Sequence, residues 1–232
     1  MGAGGGNRHD AVAALRHTPR AGDDGQVSLP HGVIIAGGRG ERLGGVRKAD
    51  LRIGGRRLVD RVAAALGPVA PPLMIAVGPE DDGRGRRDDA VAVIDLAAPV
   101  GGPLAGLAAA VAALEARGIG DGLLMSAAVD TPFLPDDFAA VMIEALGDAP
   151  AAFAGWGADF YPPNAIWRIA ALADLPRQIL AETAPRSLKG LQAAMGARRV
   201  DWSGRCAADP FLNVNTMADL LMLAKRTHPT KA

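Results

Sequence analysis

From His31 onward, short apolar runs alternate with segments patterned as helices. Val33–Ala36 is brief, β-branched and closed by glycine, as buried strands are. Leu58, Val62 and Leu66 recur every fourth residue and predict a helix over Val59–Leu66. Leu73–Val77, Val91–Asp95 and Leu123–Ala128 read as further strands, with an alanine-rich helix at Leu104–Ala116. Pro135 and Gly147 bracket another helix. This β-α-β-α order predicts a three-layer α/β/α fold with a mostly parallel central sheet, Rossmann-like in kind. The last third is less regular. Ala151–Ala154, Pro163–Trp167 and Arg198–Trp202 are expected strands. Ile169–Glu182, Ser187–Met195 and Thr216–Lys225 are expected helices, the last capped by Thr216.

The first strand ends in a stretch rich in glycine and cations, VIIAGGRGERLGGVRK, residues 33 to 48. In parallel α/β sheets, ligands bind beyond the carboxyl ends of the strands. Glycines let a loop there turn tightly and bring bare N–H groups against an anion. Arg39, Arg42, Arg47 and Lys48 add positive charge where phosphate oxygens would lie. The stretch therefore points to a di- or triphosphate. It is not a Walker A loop: Gly40 and Gly45 have that separation, but Val46 stands where the lysine belongs. Nor is it GxGxxG, because Leu43 takes the place of the third glycine.

Composition narrows the class. The 232 residues fit one large domain or two small ones, and 49% are hydrophobic, enough for a sizeable core. Lys+Arg and Asp+Glu each number 25, a balance that argues against a general nucleic-acid binder. Cys206 is the single cysteine, so there is no disulfide framework, and a reducing compartment suits the chain. No stretch approaches the roughly 20 apolar residues of a membrane span, and the N-terminus does not read as a secretory signal. A cytoplasmic protein without membrane or nucleic-acid partners is expected. Residues 1–30, glycine-rich and of mixed charge, read as a disordered extension, residues 31–226 as a single domain, and 227–232 as a tail. The charged run at residues 79–90 reads as a solvated surface loop.

The loop AGGRGERLGGVRK is similar to the signature loop of nucleotidyltransferases. Four further segments follow it: GGPLAG (101–106), VDTPFLP (129–135), GARRVDW (196–202) and FLNVNTMADL (211–220). In this order they resemble the molybdenum cofactor guanylyltransferase family, of the MobA type, over about His31 to Ala224. The resemblance implies a nucleotide-diphospho-sugar transferase-like fold. It implies transfer of GMP from GTP to molybdopterin bearing molybdenum, with Mg²⁺ as cofactor and pyrophosphate released. GTP and molybdopterin, or molybdenum-molybdopterin, would be the partners, with molybdoenzyme maturation proteins as further ones.

The resemblance also assigns residues. Asp130 would hold the metal; its alternative use is to cap the Thr131-Pro132 turn. Asn215 would be a second metal contact, or else only a helix-entry residue. Lys48 would contact the nucleotide phosphates, and Arg42 would steady the leaving pyrophosphate. Arg42, Lys48 and Asp130 form the expected catalytic set. Ile35, Ala36 and Gly37 would offer backbone contacts to guanine and ribose, and Gly38 would leave room for the phosphates. Asp95 would bind the nucleotide, and Gly102, Leu104 and Gly106 would line the same pocket. Arg47, Asp50 and Ala76 depart from the family pattern, Ala76 standing where a base-contacting asparagine is expected. The segment FYPPNAIW (160–167) replaces one that usually carries a His-Pro pair. A molybdopterin cytidylyltransferase or other divergent nucleotidyltransferase, and a non-catalytic cofactor-binding or delivery protein, are the alternatives. A sugar-phosphate nucleotidyltransferase is disfavoured by the GPLAG and NVNT segments.

Overall fold

A computed structural model describes residues 28–37, 46–78, 87–96 and 101–227. The expected extension, most of the charged run and the C-terminal tail lie largely outside them. Strands β1 (His31–Ile35), β4 (Ala70–Val77), β5 (Ala90–Ile94), β6 (Leu123–Ala128), β7 (Ala151–Trp156), β8 (Asp159–Arg168) and β9 (Arg198–Asp201) form one sheet in the order β5-β4-β1-β6-β8-β7-β9. β5, β4, β1 and β6 run parallel. β8 is antiparallel to both its neighbours, and β9 is parallel to β7. The sheet is mostly parallel, as expected. The reversal at β8 follows from its connection: only Gly157 and Ala158 separate it from β7, so a hairpin is the available route.

Helices α1 (Leu58–Leu66), α3 (Phe138–Leu146) and α6 (Met217–Ala224) belong to one layer. There Val62, Leu66, Phe138, Met142 and Leu223 share a core with Ile34, Ile75 and Met125. Phe138, Trp202 and Phe211 stack edge and face within it. Helices α2 (Pro103–Glu115), α4 (Leu175–Leu180) and α5 (Leu188–Met195) cover the other face. They bury Leu107, Leu114, Ile179 and Leu191 against Val33, Ile35, Met74 and Trp167. The alternation of Val33, Ile34 and Ile35 between the two cores is the period-two geometry of a strand buried on both sides.

One expectation needs correction, and one element comes as an addition. The helix predicted over Ile169–Glu182 is broken into a 3-10 turn, Ile169–Leu172, and the short α4. Pro176 sits in the first turn of α4, where its missing N–H costs nothing; inside one long helix it would have broken the ladder. A small hairpin, β2 (Arg52–Ile53) with β3 (Arg56–Arg57), was not anticipated. Its sequence signal is Gly54-Gly55, both at positive φ (56° and 78°), which few other residues tolerate in a two-residue turn. Through Ala49, Leu51 and Ile53 this segment joins the first core, and so anchors Lys48 just ahead of it.

β1 has β4 on one side and β6 on the other, so the strand order reverses beside it. Crevices at such switch points are where open α/β sheets bind ligands. Helix α2 closes over this region because Gly106 has no side chain. A Cβ there would lie 2.9 Å from the Cβ of Ala76. Ala76, fully buried, therefore points into the core beneath α2, and its side chain has no path to a bound base. Gly106→Val should destabilise the fold by about 1–3 kcal/mol through overpacking. Ala76→Gly, itself a destabilising change, should offset part of that loss in the double variant. Urea unfolding of the four proteins checks this; strictly additive effects would show that the contact does not exist.

Candidate functional site

Three side chains meet at the switch point. Val129 N–H bonds the Ile35 carbonyl at 3.1 Å, so the end of β6 is locked beside the end of β1. Asp130 follows directly. Its carbonyl accepts the Val214 N–H at 2.8 Å, which draws the Asn213–Thr216 segment across it. Lys48 Nζ donates to Asp130 Oδ2 at 2.8 Å and to Asn215 Oδ1 at 2.7 Å. One ammonium thus bridges the carboxylate and the amide expected to serve a metal. The Lys48 and Asp130 side chains are only 19% and 18% exposed, so solvent screens their pairing less than at an open surface.

The alternative uses of these residues fall to their neighbours. Thr131 organises its own turn: its hydroxyl and its N–H both donate to the Ala128 carbonyl, at 2.8 and 3.2 Å. The Asp130 carboxylate is left for Lys48. At α6 the cap is Thr216, whose hydroxyl accepts the Asp219 N–H at 3.1 Å. Asp219 in return accepts the N–H groups of Asn215 and Thr216, a capping box. The Asn215 side chain is thereby free to face Lys48. A carboxylate and an amide oxygen within reach of one point suit a hard cation that takes few ligands from protein and the rest from phosphates and water. Among the described residues no group of three His, Cys, Asp or Glu side chains forms a separate cage.

Of the expected nucleotide-binding residues, the cleft at this centre brings together four. Ile35 and Gly37 line a cleft of about 200 Å³ together with Lys48 and Asp130. Ala36 N–H is engaged with the Ala76 carbonyl at 2.9 Å, so it extends the sheet and is not available to a ligand. Asp95 follows β5; its carboxylate lies 3.2 Å from where a Cβ on Gly37 would stand and 3.3 Å from one on Gly106. No donor among the described residues is hydrogen-bonded to that carboxylate, and burial pushes it up to about 6. Leu104 is 1% exposed and packs in the core under α2, so its side chain does not line the cleft; Pro103 does. Gly102, at φ 77° and ψ −156°, adopts a backbone conformation essentially reserved for glycine. A side chain there would meet nothing within 4 Å, so what demands glycine in the free protein is the backbone. Gly38 and Arg42 lie outside the described residues. Arg47 and Asp50, which depart from the family pattern, approach each other at 3.8 Å beside Lys48.

Another part of the lining comes from the FYPPNAIW segment, none of whose residues is among the expected site residues. It is built by Phe160, Tyr161, Pro162, Pro163 and Asn164 at the start of β8. Tyr161 packs on Phe211 at 5.1 Å and donates its hydroxyl to Asp209, while burial and that carboxylate hold the phenol well above its usual range. The available signal was a polar Asn164 opening an otherwise apolar strand behind two prolines. Its partners come from distant segments, which no local pattern names.

Comparison with known proteins places this geometry in a family. Residues 32–188 match the family model described as MobA-like NTP transferase domain. A molybdenum cofactor guanylyltransferase of Acidiphilium cryptum is 40% identical over 189 residues, covering 81% of this chain and 90% of that protein. One from Cereibacter sphaeroides is 37% identical over 195 residues, covering 82% and 92%. Among solved structures, molybdopterin-guanine dinucleotide biosynthesis protein A from Archaeoglobus fulgidus has a TM-score of 0.62 at 20% identity, covering 85% of this chain and 98% of that one. The 2-C-methyl-D-erythritol 4-phosphate cytidylyltransferase of Thermus thermophilus has 0.59 at 19% identity, covering 85% and 99%. These two matches speak to the fold, that of the nucleotide-diphospho-sugar transferases, and the sequence matches speak to the family. The chain is a nucleotidyltransferase and belongs to the MobA-like NTP transferase family.

Proposed function

We propose that this protein transfers GMP from GTP to molybdopterin bearing molybdenum, yielding the guanine dinucleotide form of the cofactor. The observation that carries the reading is the 40% identity, over nearly the whole domain, to a molybdenum cofactor guanylyltransferase. The convergence of Lys48, Asp130 and Asn215 at the switch point supports it. In the reaction an oxygen of the acceptor's terminal phosphate bonds to the α-phosphorus of GTP. The bond from that phosphorus to the bridging oxygen breaks, and its electrons leave with pyrophosphate. The enzyme's task is to align two anions that repel each other and to offset charge on the leaving group.

Asp130 and Asn215 would hold Mg²⁺, which when bound neutralises phosphate charge. In the free protein the Lys48 ammonium stands between the same two oxygens, as their internal counter-ion. A triphosphate offers it a stronger anion, so Lys48 turns to the phosphates as the nucleotide enters. Arg42 would join it at the pyrophosphate. Asp95, a half-buried carboxylate with no donor bonded to it among the described residues, would accept N–H or O–H groups of the nucleoside.

The primary test is incubation with molybdopterin and GTP, CTP or ATP in turn, following pyrophosphate and dinucleotide. GTP should give the most product. A preference for CTP would replace guanylyl by cytidylyl transfer, and binding without turnover would leave a delivery protein.

Asp130→Asn keeps the shape of the side chain and removes its charge. Transfer should fall roughly a hundredfold or more, with little change in melting temperature. Lys48→Met should weaken GTP binding yet tighten Mn²⁺ binding to the nucleotide-free protein, because the competing ammonium is gone; titration calorimetry reads both.

Asp95 makes stability depend on pH. Its carboxyl titrates at about 6 in the folded chain and near ~3.9 when unfolded. The folded state therefore holds the extra proton between those values. Stability is full below about pH 4, falls as pH rises toward 6, and stays lower above. Asp95→Asn should raise the melting temperature at about pH 7.5 and leave it unchanged near pH 4. Equal effects at both pH values would show that burial does not penalise this charge.

A further inference from the structure

The three side chains of the centre ride on three chain segments: Lys48 ahead of β2, Asp130 on the turn after β6, and Asn215 at the entry to α6. Their contacts at the centre hold only while the segments keep their places behind it, and small errors of alignment cost a large part of a rate. In the turn after Asp130, Thr131 is bonded to the Ala128 carbonyl, and Leu134 is buried in the first core. Phe133 lies between them, partly buried and packed against that core.

Two guanidinium groups lie against the Phe133 ring. Arg61 Cζ is 5.4 Å and Arg226 Cζ 5.7 Å from its centroid, within the ~6 Å over which a cation is attracted to an aromatic face. Each arginine also holds one of the other two segments. Arg61, on α1, donates from Nε and Nη2 to the Ile53 carbonyl at 3.1 and 2.8 Å, in the strand that follows Lys48. Arg226, just past α6, donates from Nη1 to the Asp209 carbonyl at 2.9 Å. Asp209 begins the stretch that leads to Asn215: its carboxylate accepts the Phe211 N–H at 2.8 Å and the Tyr161 hydroxyl. Among the described residues neither arginine forms an ion pair with a carboxylate. Burial, and then the charge of Arg56, lower the Arg61 guanidinium from its ordinary range. The ring offsets charge that no carboxylate offsets. Being neutral, it does so without placing a second negative charge beside Asp130.

We propose that Phe133 is a positioning residue: its ring, shared by Arg61 and Arg226, couples the segments that carry Lys48, Asp130 and Asn215. This role presupposes the proposed transfer reaction and adds to it how the reacting centre is kept aligned. Phe133 does not line the cleft, so its effect on the reaction passes through the segments it joins. The nearest reporter of that coupling is the Val214 N–H, whose bond to the Asp130 carbonyl ties two of the three segments together.

The experiment compares full-length wild type with Phe133→Leu, Phe133→Tyr, Arg226→Met and the double variant Phe133→Leu/Arg226→Met. It reads kcat and the KM for GTP in dinucleotide formation and, separately, hydrogen exchange of the Val214 and Met125 amides in nucleotide-free protein. Phe133→Leu keeps an apolar side chain and removes the ring. It should lower kcat about tenfold and leave the GTP KM within about twofold of wild type. Val214 exchange should quicken about tenfold while the core amide of Met125 keeps its rate. Phe133→Tyr retains the ring face and should bring kcat and Val214 exchange back to within about twofold of wild type. Arg226→Met should slow turnover and quicken Val214 exchange in the same way. The double variant should lose less than the product of the two single losses, because both remove one shared contact. Wild-type kcat and Val214 exchange in Phe133→Leu overturn the proposal. So do equal quickening of Val214 and Met125, which is general loosening of the fold, a Phe133→Tyr as slow as Phe133→Leu, and fully multiplicative losses in the double variant. If a melting curve shows that Phe133→Leu fails to fold, Arg226→Met, changed at an exposed residue, decides by its own kcat and Val214 exchange. Wild-type protein that binds GTP but forms no dinucleotide overturns the transfer reaction and the role of Phe133 in it, whereas unchanged Val214 exchange overturns the coupling itself.

Discussion

The site depends on the parallel pairing of β1 with β6. Residues His31–Ile35 lie in register with Leu124–Ala128, though the β2–β3 hairpin, α1, β4, β5 and α2 separate them in the chain. That pairing brings the carboxyl ends of both strands to one edge. Everything in the centre is then suspended from those ends. Val129 bonds back to Ile35, Asp130 projects from the turn, and Val214 bonds to Asp130 and delivers Asn215. A shift of one residue in this register would send Asp130 away from Lys48.

Lys48 shows how such a centre tolerates its own charge. A carboxylate and an amide oxygen close together would repel each other. The ammonium offsets that repulsion while no cation or nucleotide is present. Its anchor is apolar: Ala49, Leu51 and Ile53 hold the segment on the core, so the cation is positioned by packing and not by a long flexible reach. Asp95 is the opposite case. Its half-buried carboxylate is bonded to no donor among the described residues, and the folded chain carries that cost where Gly37 and Gly106 let the backbone come close to it. Natural chains concentrate such local inconsistencies at functional sites.

The two walls of the cleft differ in construction. One brings Gly37 together with the charged side chains of Lys48 and Asp130. The other is a bulge whose two proline carbonyls are satisfied by Gln192 and Ser126. Pro162 and Pro163 would be costly in a regular central strand because each removes a ladder donor. In a bulge they remove only donors that would have lacked partners, and they stiffen the backbone that lines the cleft.

Much of this was legible in the sequence. The alternation from His31 dictates a layered α/β fold, because short β-branched runs separated by amphipathic segments have few other ways to bury both faces of a sheet. The punctuation of glycine and charge after β1 pointed to this strand end, and the structure brings two of the expected side chains, Asp130 and Asn215, together there on Lys48. Local pattern also foretold Thr216 as the cap of α6, since capping is decided within one turn. What only the tertiary structure decided are relations between distant segments. These include the direction of β8, the burial of Ala76 beneath Gly106, and the bridging of Asp130 and Asn215 by Lys48. The physical reason is common to all of them. Periodicity and capping act over a few residues, whereas register, desolvation and hydrogen-bond satisfaction are settled only when strands far apart in the chain come side by side.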